Sequence, residues 1–541
     1  MNNYLKQDTG FNLLKNPWIP LLDHDGRVEE YSIMDTFALA GEHRAICGEV
    51  PTQEFAILRL LLAIMHRSLK DPSTELAGPT SYEDWKYWNN HWDDLLETVN
   101  AYLDQFQERF DILDSEKPFY QVAGLRTAKN EIVELKKIII EVPDREPFFT
   151  TRLKKGISTL AFSEAARWLI HVQAYDVSGI KSGAVGDPTV KGSKGYPIGP
   201  GWLGSIGGFF ARASTLKETL LMNLLPLNST ENEIVSTQED LPPWEMPQLG
   251  PECITKEPHG PIELYTWQSR RVRLIHNGQE ITGCILCRGD KIESKNRQKV
   301  EPFTAYKYSD KKTKELKIGD IYFPQIHEPS KSFWRGLSSL LPFVSDVKGF
   351  IPPKIVGWCA KLERDDISSL ISNRLKLCSV GIAYGTQQAF VADMVYDDFE
   401  LSINLLHNAN LAQVAIEAVG VSDAAVRALG KLAFNIGCAA GSASKEAEII
   451  RTTTQASVYN ILDRPFRHWL ANLSNIDTAE DWYSIARNII WKRSREIVST
   501  APLSAWGGRI VNNRHIDVPL ADIYFKNELA KVLPNKKVGD I

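Results

Sequence analysis

From about residue 400 onward, apolar residues recur at helical spacing. Trp482, Ile485, Ala486, Ile489 and Ile490 stand at i, i+3, i+4, i+7 and i+8 behind a D-x-x-E start at Asp477, the pattern of an amphipathic helix with a capped first turn. Similar stripes run through Val426, Leu429, Ala433 and Ile436, through Val458, Ile461 and Leu462, and through Leu520, Ile523 and Tyr524. Four stripes separated by short polar turns predict a four-helix bundle over 399–541, with Pro465 kinking or ending the second helix. The preceding 1–398 mixes short strands, turns and helices, so the expected class is α+β: a large mixed α/β domain followed by the bundle. Phe11–Asp23 and Arg27–Ile33 read as strands joined at Asp25-Gly26, a strong hairpin signal. The apolar run Phe55–His66 contains Arg59 and falls short of the ~18 residues a membrane span needs, so it reads as a buried helix. Residues 229–262, with prolines at 242, 243, 247, 251 and 258, cannot form a long element and read as a surface connection.

Composition narrows the picture. The chain has 541 residues, 43% apolar and 24% charged, which excludes wholesale disorder. The N-terminus MNNYLKQDTG lacks a basic-then-apolar signal pattern, so a cytoplasmic protein without membrane attachment is expected. Seven cysteines suit a reducing compartment. Cys284 and Cys287 form one C-x-x-C, but a closed zinc site needs two further ligands that no second motif supplies. Two free thiols on a hairpin are the stronger reading, with zinc the alternative. Asp23, His24 and Asp25 are explained by the turn they occupy.

Net charge is −5, yet Ser269–Lys317 carries 13 Lys/Arg against six Asp/Glu. Such asymmetry fits either a nucleic-acid contact surface or a solvated charged hairpin. Arg464 and Arg467, and Lys492, Arg493 and Arg495, likewise fit the wet side of the bundle or a nucleic-acid track.

Candidate chemistry centres on Asp176-VSGIKSGAVGD-Pro188. Its glycines, lysine and serine suggest a phosphate cradle, but Lys181 and Ser182 precede Gly183 and Gly186 instead of following the last glycine, so the phosphate-loop order fails. No G-x-G opens the stretch, and the dinucleotide pattern fails too. Signatures of catalysis are equally absent: no H-E-x-x-H occurs, and Ser205 in Trp202-LGSIGG has Leu203 where a hydrolase elbow needs glycine. No cofactor is implied.

Four segments in register identify a relationship. Phe11-NLLKNPWIPLL, Asp176-VSGIKSGAVGDPTVKGSKGYPIGPGWLG, Ile321-YFPQIHEPSKSFWRGLSSLLP and Tyr384-GTQQA-Phe390 together resemble the CasA family, the large subunits of type I-E CRISPR Cascade complexes. The resemblance implies a non-catalytic subunit with duplex DNA, crRNA, the other Cascade subunits and a helicase-nuclease as partners, reading a short protospacer-adjacent motif and helping to open the duplex. It implies that Ser178, Gly179 and Lys181 belong to a glycine loop approaching the minor groove, where A·T and T·A look alike and only backbone without a bulky Cβ comes close to base edges. Ser178 stands where some relatives have glycine, which bears on motif preference. It further implies that Gln388, flanked by Thr386, Gln387 and Ala389, is a wedge below the motif, and that a lysine finger lies at Lys299 or Lys307. Phe148, Phe149 and Thr150 resemble the start of a mobile loop near the crRNA and the motif. Base pairing with crRNA would then supply specificity, while phosphate contacts give salt-sensitive encounters. The rival readings are a purely structural scaffold that touches no base, and a nuclease whose metal site is assembled from distant acids.

Overall fold

The computed structural model describes residues 10–142, 157–230, 232–341, 349–364, 374–475, 479–511 and 513–533. The chain divides into two compact units, one comprising Met1–Pro329, Lys348–Ser372 and Lys376–Asp398, the other Ser330–Val347, Asn373–Leu375 and Phe399–Ile541. A single cut at 398 therefore misassigns Ser330–Val347, which belongs with the C-terminal helices.

The first unit is mixed α and β around one buried helix, Pro51–Ser68, which begins with proline in its first turn, where no N–H is needed. Phe55 on this helix stacks on Phe210 and meets Phe303 edge-on, with centroids 5.6 and 5.9 Å away. The one charge interrupting its apolar run is neutralised locally. Arg59 donates to Glu301 at 2.8 Å and lies 4.2 Å from the Tyr265 ring centroid, while Glu301 also accepts from the Trp202 indole at 2.7 Å. Among the described residues, no helix is long and apolar enough to cross a membrane.

The Asp-Gly hairpin forms as expected, Ile19–Asp23 pairing antiparallel with Val28–Tyr31. Asp23 accepts the Arg27 N–H at 2.8 Å, so Asp23, His24 and Asp25 are turn chemistry. The proline-rich 229–262 is irregular but not superficial. Trp244 is buried, and the Arg109 guanidinium donates to the carbonyls of Pro243, Trp244 and Met246 at 3.0, 3.2 and 2.9 Å, supplying partners that regular structure does not.

Two further expectations meet the structure differently: the free-thiol reading of Cys284 and Cys287 holds, and the basic stretch is only partly a surface. Cys284 and Cys287 both lie on the strand Ile281–Arg288, where residues three apart face opposite sides. They are buried free thiols, pushed up by burial to about 12, and no group of three or more metal-capable side chains occurs among the described residues. Of the 13 basic residues in the stretch, four do not contribute to a surface. Arg270, Arg271, Arg288 and Arg297 are buried in ion pairs with Asp176, Asp290, Asp187 and Glu257. Three of these acids come from outside the stretch, so a local charge count overstates what reaches solvent.

In the second unit, four long helices span Ala409–Ala440, Ser444–Ala471, Ala479–Ser499 and Val518–Val532, with a short helix and the hairpin Arg509–Val511/Arg514–Ile516 before the last. Asn408 caps the first helix by accepting from Asn410 and Leu411 N–H, and Gly441 ends it at φ 109°. Pro465 lies inside the second helix, which continues past it to Ala471. Trp482 donates to Ser422 at 3.0 Å, and Trp334 stacks on Phe466 at 4.2 Å, which brings Trp334 into this core. The predicted stripes are partly out of phase. Ile461, Ile485, Ile523 and Tyr524 are exposed, while Phe525 and Leu529 carry the core face of the last helix.

Candidate nucleic-acid interface

The glycine loop leaves the helix Phe162–Tyr175 at Asp176, whose extended φ/ψ of −55°/143° stops the helical ladder. It rejoins regular structure at Lys181–Ser182, paired antiparallel with Lys194–Gly195. Asp176 is fully enclosed. Burial alone would raise its carboxyl, but Lys181 and Arg270 outweigh burial and hold it below the usual carboxylate range. Lys181 donates to it at 2.7 Å with its side chain only 14% exposed. In this structure the lysine therefore ties the loop to Asp176. Ser178 is 5% exposed, so its hydroxyl is not a surface feature, and Ser182 donates to Glu131 at 2.6 Å.

Gly179 differs from its neighbours. A Cβ at Gly183 would strike Val190 at 2.4 Å, whereas a Cβ at Gly179 would meet nothing within 4 Å, and its φ lies outside the left-handed region. Among the described residues, neither packing nor backbone conformation requires glycine there.

The glutamine segment is the tip of a hairpin between Arg374–Tyr384 and Val391–Ser402. Gly385 N–H donates to Phe390 O and Gln388 N–H to Gly385 O, both at 2.9 Å. Gln387 and Gln388 occupy consecutive left-handed positions, φ 56° and 55°, each costing about 1–2 kcal/mol for an L-residue. Thr386, Gln387 and Ala389 are exposed and Gln388 is half-buried. The base is firm. The Tyr384 hydroxyl donates to Tyr175 O at 2.6 Å, and the Phe390 ring occupies the place a Cβ on Gly385 would take.

Loop and tip share one cleft, and the tip reaches a second. Ser178, Gly179 and Lys181 line the first together with Ala389, Phe390 and the Lys136-Lys137 pair. Gln388 lines the second with Gly199, Pro200, Trp202 and Phe323. Lys299 and Lys307 line neither cleft. Lys299 is an exposed side chain whose charge, after that of Lys354, helps hold Glu233 low. Lys307 is exposed on the central strand of a small sheet, 6.0 Å from the Phe350 ring centroid. Phe148, Phe149 and Thr150 lie outside the described residues. Sequence reasoning missed Lys136, Lys137, Phe390 and Arg270. The Lys-Lys dipeptide was a visible signal, while nothing near Arg270 announces a partner 94 positions away.

Solved structures sharing this architecture are CRISPR-associated proteins. The Cse1 protein of Thermobifida fusca is 37% identical with a TM-score of 0.85, over 97% of this chain and 98% of that one. The chain belongs to the family of CRISPR-associated protein Cse1, whose profile matches residues 12–495. The CasA/Cse1 protein of Thermus thermophilus is 29% identical over 340 residues, 61% of this chain, and the match spans about 60% of that relative's length. A chain of a CRISPR RNA-guided surveillance complex shares the fold at 16% identity, with a TM-score of 0.70 over 97% and 99% of the two chains.

Proposed function

We propose that this chain is the large subunit of a crRNA-guided surveillance complex, in which it reads a short motif in duplex DNA, opens the duplex beside that motif and receives a helicase-nuclease. The observation that carries this reading is that Gly179 shares one cleft with Ala389 and Phe390 at the end of the glutamine tip, while Gln388 lines a second cleft beside Gly199. A glycine with no internal reason to be glycine fits close approach of backbone to base edges. Two glutamines held in left-handed backbone on a braced hairpin fit a rigid polar wedge, because strain of this kind persists at sites that use it. Family membership and the shared fold of a surveillance-complex chain support a subunit role, with crRNA and the other subunits as partners. Sequence specificity then rests on base pairing, and the protein contributes motif and shape.

Replacing Gln388 with Ala in the assembled complex is expected to reduce permanganate reactivity of target thymines next to the motif by about tenfold, a loss of ~1.4 kcal/mol in opening. Initial binding to motif-bearing duplex should change by less than about twofold. Undiminished permanganate reactivity would remove Gln388 from the wedge role.

A further inference from the structure

Three segments far apart in sequence converge on one guanidinium. Arg270 opens the strand Arg270–His276, and its backbone is fixed by Gln173, which accepts from Arg270 N–H at 2.8 Å and donates to Arg270 O at 3.0 Å. Its side chain is 1% exposed. Nε donates to the Asp176 carboxylate and Nη1 to Ser269 O at 2.7 Å. Nη2 reaches the carbonyls of Asp176, Val177 and Gly199 at 3.2, 3.0 and 2.9 Å. Lys181 comes to the same carboxylate from the far end of the loop. The span Val177–Ile180 is thus tied on both sides, and Gly199, on the rim of the second cleft, is held by the same group. One peptide earlier, Tyr175 O receives the Tyr384 hydroxyl at the base of the glutamine hairpin.

We propose that Arg270 is a positioning residue for motif reading: by pinning the Val177 and Gly199 carbonyls beside Asp176, it sets the depth at which the Gly179 backbone meets the duplex and ties the glutamine tip to the same anchor. The inference rests on the function proposed above. A guanidinium is suited to it because its five N–H groups radiate in a fixed plane and satisfy a carboxylate and several carbonyls at once, whereas a lysine ammonium keeps the ion pair and gives up most of the carbonyls.

Arg270→Lys separates these contributions. The assembled complex would be titrated against three DNAs: a duplex with the motif, the same duplex with the motif scrambled, and a scrambled-motif duplex whose target is already unpaired, which bypasses motif reading. The expected result is a loss of about tenfold or more in the motif-to-scrambled affinity ratio, with binding to the unpaired target within about twofold of the original chain. A ratio unchanged in an assembled Arg270→Lys complex overturns the proposal, and so does an equal loss on all three DNAs, which marks a general structural role. Should Arg270→Lys fail to assemble, Lys181→Met decides. It spares Arg270 and roughly preserves volume while releasing only the far tie, and is expected to lower the ratio about threefold; no change there overturns the proposal as well. If the unaltered complex itself shows no motif preference, the function proposed above falls, and this inference with it.

Discussion

Two hairpins of the same unit treat the left-handed region of backbone space in opposite ways. Between Asp23 and Val28 the left-handed position is taken by Gly26, φ 87°, and the Asp23 carboxylate closes the turn on Arg27; every residue suits the conformation it adopts. At the other tip, glutamines take two such positions, while the nearby Gly385 sits at φ −75° and serves to admit the Phe390 ring. The first turn is optimised for folding. The second accepts a local cost that its firm base can bear, and such departures from local preference concentrate at functional sites.

The contrast can be broken directly. Converting Gln387 and Gln388 together to Gly relieves the left-handed cost, so thermal unfolding should show a gain of about 1 kcal/mol, while duplex opening in the permanganate assay falls about tenfold or more. A stability loss would mean that the glutamine side chains hold the tip together, erasing the contrast. The helix beneath the tip offers a second lever. His171 is buried against Thr52 at 2.8 Å, and burial lowers its pKa to about 3. Below the ordinary imidazole value of 6.5 the unfolded chain takes up a proton that the folded chain refuses, so this residue's contribution to stability falls as pH drops from about 6.5 towards 3. Denaturant titrations between pH 7 and 5 should show a slope reduced by up to about one proton in His171→Gln; an identical slope would place His171 in contact with water. The smallest effect belongs to the conventional turn. Gly26→Ala should cost about 1 kcal/mol, read by chemical denaturation, and leave motif binding unchanged.

Much of this was legible in the sequence, though for different physical reasons. The Asp-Gly hairpin and the helical C-terminal region follow from local rules, and local rules are what a linear pattern records. Which face each helix buries is set by neighbours, so Ile523 and Tyr524, in stripe with Leu520, are exposed while Phe525 and Leu529 are buried. The glycine loop stood out by composition, but the fate of its lysine did not. Spacing excluded a phosphate loop, but nothing in the pattern showed that Asp176, five residues earlier, holds Lys181 in an ion pair. In the basic stretch the same limit applies on a larger scale: Arg270 and Arg288 find Asp176 and Asp187 some 94 and 101 positions away, beyond any window over which charge is counted.

Nothing among the described residues holds position 179 to glycine, while position 183 is held by Val190. Folding casts no vote at the first site and a decisive one at the second. Over generations, larger residues arising at 183 would be purged because the protein fails to fold, whereas those arising at 179 would be kept or lost according to what the loop meets outside the protein. Natural variation at these two neighbouring glycines therefore separates selection for a stable chain from selection for a choice of target.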